Sequence, residues 1–191
     1  MLTLEQLKQI MPSAGSRAPT FLGPLNEAMA EFGIDTPSRE AAFLAQVAHE
    51  SGQLRYVQEL ASGLAYDGRH DLGNTRPEAE AIAAANQSSP GPWWKGHGLI
   101  QITGYDNHKA CGEALGLDLL NNPCLLETPR EAARSAAWFW QTHGLNRWAD
   151  VGDFDGVSDI INRGHKTAKE GDANGYPDRL AAYERAKDYL A

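Results

Sequence analysis

The sequence predicts a mainly α-helical fold with long loops and at most a small β element. Three observations predict it. Apolar residues recur at helical spacing, as at Leu22, Leu25, Met29 and Phe32. Thr36-Pro37 and Thr128-Pro129 read as helix starts, and Gly52 and Gly144 as stops. No alternating strand pattern of useful length occurs, save for "GLIQIT" at 98–103.

The elements follow in order. Residues 2–11 form a short amphipathic helix stopped by Pro12, and a second helix covers 19–33. Thr36 caps a third, Pro37 fits its first position, and it runs to about Ser51. Residues 53–98 are rich in Gly, Pro, Asn and Asp, and only 77–87 there reads as helical. A helix is expected over 104–117. "TPREAARSAAWFWQTHG" gives another, with Thr128 as N-cap, Glu131 three residues on as a capping-box partner, and Gly144 beyond its end. Trp138, Phe139 and Trp140 on it read as core. Two last helices cover 155–163 and 177–190, with no repeat and no second domain in 1–191.

Composition limits the function. With 191 residues, 42% apolar and 22% charged, the chain reads as one globular domain with a substantial core. A net charge of −8 without a basic cluster argues against nucleic acid as the main partner. Cys111 and Cys124 lack metal-ligand spacing and read as free thiols, a disulfide remaining open. The N-terminus lacks the basic and apolar regions of a secretory signal, and no apolar run is long enough to span a membrane. The expected location is the host cytoplasm until release.

The chemistry centres on "AHESGQLRYVQE" (48–59). Phe43, Val47 and Glu50 fall on one helix face, so a carboxyl ends an apolar stripe in the last turn, where the helix dipole disfavours an anion. Both features are expected to raise its pKa and suit a general acid. Glu59 follows nine residues later. Two carboxylates flanking a cleft perform glycoside hydrolysis, and Tyr56, Tyr66, Arg69, Asp71, Asn74, Trp93 and Trp94 supply aromatic and polar groups suited to sugar. Trp93 and Trp94 read equally well as core.

Five motifs in order, "AHESG", "ASGLAYDGRHDLGNT", "KGHGLIQITGYDNH", "IINRG" and "NGYPDR", resemble glycoside hydrolase family 19, which includes chitinases and phage endolysins. The run "AEFGIDTPSREAAFLAQVAHESG" (30–52) is similar to the opening of the endolysin branch. The resemblance implies a lysozyme-like, bilobal helical fold around a cleft and an inverting mechanism without metal or cofactor. It assigns Glu50 as general acid, Glu59 as general base and Thr103 as the holder of the catalytic water. It assigns substrate contacts to Gln101 and Asn107 and makes Asn162 a cleft amide and Arg179 a cleft arginine; Tyr66 and Arg69, from the sugar-suited groups above, are read as further substrate contacts. Inversion implies carboxyls about 6.5–9.5 Å apart, which nine residues span easily.

Two departures stand out. His97 of "KGHG" replaces an arginine, and reads as structural or as part of the cleft wall. The segments 78–94 and 165–173 are long and could reshape the cleft. The resulting expectation is a monomeric endolysin acting on peptidoglycan glycan strands and released by a holin. A chitinase and a non-catalytic carbohydrate binder are the alternatives.

Overall fold

The computed structural model describes residues 1–190, which form ten helices joined by loops and short 3₁₀ turns. Helix α1 (Leu4–Ile10) opens at Thr3, whose hydroxyl accepts from the Gln6 amide while the Gln6 side chain accepts from the Thr3 amide. Helix α2 (Arg17–Glu31) begins two residues before its expected start. Helix α3 (Pro37–Glu50) starts where Thr36 and Pro37 place it, and Thr36 accepts from the Arg39 amide. Then come α4 (Pro77–Ala85), the four-residue α5 (Pro90–Trp93), α6 (Tyr105–Leu115), α7 (Pro129–Thr142), α8 (Asn146–Asp150), α9 (Phe154–Arg163) and α10 (Tyr176–Leu190).

Two expectations need correction. The capping box of α7 does not form. The Thr128 hydroxyl donates to the Leu125 carbonyl at 2.8 Å, because the 3₁₀ turn Pro123–Glu127 brings that acceptor close. Glu131 is taken instead by Arg134, whose Nη1 donates to it at 2.8 Å. Residues 98–103 form no strand: isolated antiparallel bridges join Gln58 to His97 and His97 to Ile102. These bridges fix the loop that carries Glu59.

There are two hydrophobic clusters. The larger gathers side chains of α1–α3 and α6–α10, with α3 packed on α10 and α2 on α7. The smaller comprises Ala79, Ala83, Trp94 and Tyr105, with Trp93 packed beside it. Trp94 is fully buried and meets Tyr105 edge-on at 5.1 Å, and Trp93 donates to the Leu120 carbonyl at 2.9 Å. Both tryptophans therefore belong to a second, smaller core, and the fold is lysozyme-like in having two lobes.

Gly63 and Gly91 join the second lobe to the loop of Tyr66. A Cβ on Gly91 would run into the Gly63 carbonyl oxygen and stand 2.7 Å from the Asp67 amide nitrogen. Both obstacles are backbone, so they cannot swing aside. Gly91→Ala is expected to cost about 1–3 kcal/mol. At about 2–4 °C per kcal/mol for a chain of this size, calorimetry should record a clear fall in Tm.

His97 is buried against His108 of α6. Its Nδ1 lies 3.1 Å from His108 Nε2, and the His108 Nδ1 lies 2.9 Å from the Gly104 carbonyl oxygen. Burial, with Lys95 nearby, pushes the His97 pKa down to about 4, and burial beside His97 pushes that of His108 down to about 3. Both are neutral at pH 7. The unfolded chain takes up these protons near pH 6.5 and the folded chain does not, so stability falls as pH drops from about 6.5 towards 4. Removing one such histidine flattens the slope by up to about 1.4 kcal/mol per pH unit across that window. Urea melts of His108→Gln and the parent at pH 7, 6 and 5 check this.

Cys111 is buried and Cys124 exposed, and both are free thiols. Burial pushes the Cys111 thiol up to about 12. No helix among the described residues is long and apolar enough to cross a membrane.

Candidate active site

Glu50 is the last residue of α3, and α10 brings Arg179 against it. Arg179 Nη2 lies 2.6 Å from Glu50 Oε1. The guanidinium is 1% exposed, and its other nitrogens are also held: Nε donates to the Asn174 carbonyl at 2.9 Å and Nη1 donates to Gln46 Oε1. The Gln46 amide is oriented in turn, because its Nε2 donates to the Ser158 hydroxyl at 2.8 Å and Ser158 donates to the Phe154 carbonyl at 2.9 Å. The planar fork of arginine suits three acceptors at fixed angles. The apolar setting expected for Glu50 is therefore corrected: its side chain is 27% exposed and ion-paired to a buried cation. The stripe through Phe43 and Val47 is buried, but it stops one turn short of the carboxylate.

Glu59 is held differently. Its backbone N–H donates to the Gly96 carbonyl at 2.8 Å. Its carboxylate accepts from the Gly96 amide at 3.1 Å and from the Tyr66 hydroxyl at 3.0 Å. Burial, then this bond to Glu59, raises the Tyr66 pKa, which keeps the phenol a donor. Gly96 also abuts Gln101, whose Cβ would stand 2.9 Å from a Cβ added to Gly96. The bridges through His97 thus bring Glu59, Gln101 and Thr103 into one neighbourhood. Asn107 donates to the Thr103 carbonyl at 2.7 Å.

The other predicted residues fall into two groups. Asn162 accepts from the Asn174 amide at 2.9 Å, fixing the residue whose carbonyl holds Arg179. Arg69 forms a two-point pair with Asp71, at 2.7 and 2.5 Å, which lowers the Asp71 pKa and leaves the guanidinium exposed. Asn74 is fully buried and clamps backbone: it donates to the Tyr66 carbonyl at 2.8 Å and accepts from the Tyr105 amide at 2.9 Å. His97 is in the wall behind the site, facing Glu127 at 3.6 Å.

Sequence reasoning missed Gln46, Ser158 and Asn174. A signal existed for the first: Gln46 is the only amide in the apolar run Ala41–Ala48 and lies one turn before Glu50. The segment 165–173 is fastened to α9 by Lys166, which reaches Asp153 at 3.0 Å and Asp155 at 2.7 Å, and by the Thr167 amide, which donates to Asp159 at 2.9 Å. It leads directly into Asn174. No group of three or more His, Cys, Asp or Glu among the described residues is placed to hold a metal ion.

The family model for glycoside hydrolase 19, described as chitinase class I, matches residues 26–151. Chitinase 11 of Oryza sativa subsp. japonica is 32% identical over 176 residues, covering 81% of this chain and 63% of that protein. Inactive chitinase-like protein 1 of Hevea brasiliensis is 31% identical over 180 residues, covering 83% of this chain and 57% of that protein. The chain thus spans about three-fifths of these relatives. A crystal structure of a bacterial family 19 chitinase superposes with a TM-score of 0.75 at 27% identity, over 99% of this chain and 94% of that one. Chitinase C from Streptomyces griseus HUT6037 gives 0.75 at 23% identity, covering 98% of this chain and 76% of that one, a likeness of fold.

Proposed function

Since the chain belongs to glycoside hydrolase family 19, we propose that it hydrolyses β-1,4 bonds adjoining N-acetylglucosamine, with Glu50 as general acid and Glu59 as general base. The observation that carries this reading is that two carboxylates have unlike partners. Glu50 faces a buried cation, and Glu59 accepts from two neutral donors. A group that gives up a proton to the leaving oxygen becomes an anion, and Arg179 stands ready to stabilise it through a charge-assisted hydrogen bond. A group that takes a proton from water needs a fixed oxygen with a lone pair to spare; Tyr66 donates to one oxygen of Glu59 and Gly96 to the other, which fixes the carboxylate without neutralising it and leaves each oxygen a second lone pair.

The step balances. Glu50 protonates the glycosidic oxygen as its bond to C1 breaks. Water, oriented by Glu59 and the Thr103 hydroxyl, attacks C1 from the opposite face and loses a proton to Glu59. The product is inverted at C1, and both carboxyls exchange protons with solvent before the next cycle.

Chitin is the substrate that the named chitinases favour. Peptidoglycan, a β-1,4 polymer that also contains N-acetylglucosamine, is the second reading. It is supported by the likeness of residues 30–52 to the endolysin branch, and it includes holin-assisted release from the cytoplasm to the wall. The test measures initial rates on chitin hexamer and on purified peptidoglycan, with Glu50→Gln as the blank, and follows the new anomer by NMR. Expected is turnover of at least one polymer with the α-anomer formed first. A β-anomer formed first would overturn the assigned roles. Turnover of peptidoglycan alone would select the endolysin reading.

A further inference from the structure

The segment 165–173 folds back on α9 and gathers oxygen atoms there. The Thr167 hydroxyl lies 3.2 Å from Asp159 Oδ2, 3.1 Å from the Lys169 carbonyl oxygen and 2.9 Å from Asp172 Oδ1. A hydroxyl carries one proton, so it serves one of these acceptors at a time. The Thr167 amide supplies one more proton, to Asp159 Oδ2 at 2.9 Å. Asp159 is itself fully buried, and its Oδ1 meets no donor among the described residues. Oδ1 shares a carboxylate with Oδ2, so it borders the same cluster. We propose that Asp159, Thr167, Lys169 and Asp172 bind a calcium ion.

The neighbouring carboxylates show the contrast. Asp153 accepts from the Gly156 amide at 2.7 Å and from Lys166 at 3.0 Å. Asp155 accepts from the Gly171 amide at 2.7 Å on one oxygen and from Lys166 at 2.7 Å on the other. Lys166 is spent on that pair. Arg163 donates to the Asp172 carbonyl and lies 3.7 Å from Asp172 Oδ2, which leaves Oδ1 facing Thr167. Both donors to Asp159 come from Thr167, and both are neutral. A buried carboxylate in that position calls for a positive charge.

Spacing and charge favour calcium. Oxygens about 2.4 Å from one calcium ion stand about 3 Å from one another, which is the spacing around Thr167. Two of the ligands are carboxylates and two are neutral oxygens, so no third acidic or histidine ligand is needed, and water completes the shell. Residues 153–174 carry five carboxylates and three cationic side chains, so the segment has two negative charges to spare, matching one divalent ion. Magnesium demands a near-ideal octahedron and keeps its own water, so mixed protein oxygens suit calcium better. The ion would fasten the segment at its middle, as Lys166 does at its start.

The proposal does not rest on the glycosidase reading, and its test reads no turnover. Chelator-treated protein is titrated with calcium chloride by calorimetry and melted across the same series. One saturable site is expected, with a Kd of about 10⁻⁵–10⁻³ M. At ten times that Kd, the Tm should stand about 3–6 °C above the calcium-free value. Asp159→Asn, Thr167→Val and Asp172→Asn should each weaken calcium about tenfold or more, while Glu170→Gln, an exposed change outside the cluster, leaves it unaltered. If Asp159→Asn fails to fold, Asp172→Asn decides the matter, because that side chain is 21% exposed. No binding heat and no Tm shift up to about 10 mM calcium would overturn the proposal and leave a proton or a water on Asp159. An equal loss in Glu170→Gln would also overturn it, by marking diffuse attraction to an acidic segment.

Discussion

Glu50→Gln is expected to lower kcat by about 10²–10⁴-fold on the better substrate, with little change in Tm. Gln keeps the size and one acceptor oxygen for Arg179, so the α3–α10 contact survives. It cannot deliver a proton as a carboxylic acid does. Substrates with an activated leaving group, such as a dinitrophenyl glycoside, need less protonation and should recover most of the rate. Rate assays on both substrate types, with a thermal melt of the variant, check this. If the folded variant kept more than about a third of the parent rate, Glu50 would not be the acid.

Arg179→Met should damage both activity and stability, and this separates it from Glu50→Gln. Removing the guanidinium strands Gln46 Oε1 and the Asn174 carbonyl without donors, and leaves Glu50 without its cation. Stranding the buried Gln46 acceptor costs about 1–3 kcal/mol. A fall in Tm should therefore accompany a loss of kcat of tenfold or more. Arg179→Lys keeps the charge but not the planar fork, so it should lie between the two. Loss of stability with kcat unchanged would make Arg179 a brace of the fold and nothing more.

Much of the fold was legible because helix punctuation is local. Thr36-Pro37, Gly52 and Gly144 mark ends through backbone chemistry that needs no tertiary context. What failed depended on neighbours distant in sequence or formed by a turn. Thr128 was claimed by a carbonyl of the preceding 3₁₀ turn, and Glu131 by Arg134. Five-residue α8 is too short to show a period. The surroundings of Glu50 were misjudged for the same reason. Its stripe is visible in the sequence, but the cation that meets it lies on another helix. Trp138 and Phe139 follow the same apolar pattern as Trp140, and only the packing shows which of the three is covered.

Gln46 and Arg179, which meet beside Glu50, are 133 residues apart along the chain. A ribosome therefore releases α3 long before it releases α10. During that interval Glu50 has no partner, Gln46 has an unfilled acceptor, and the nascent polypeptide holds the proposed acid without the cation that supports it. Contacts of such long separation carry a large loop-closure cost and form late. Docking of α10 then becomes the step that completes the surroundings of the proposed acid, and the first appearance of the proposed activity would follow that late contact rather than the folding of α3.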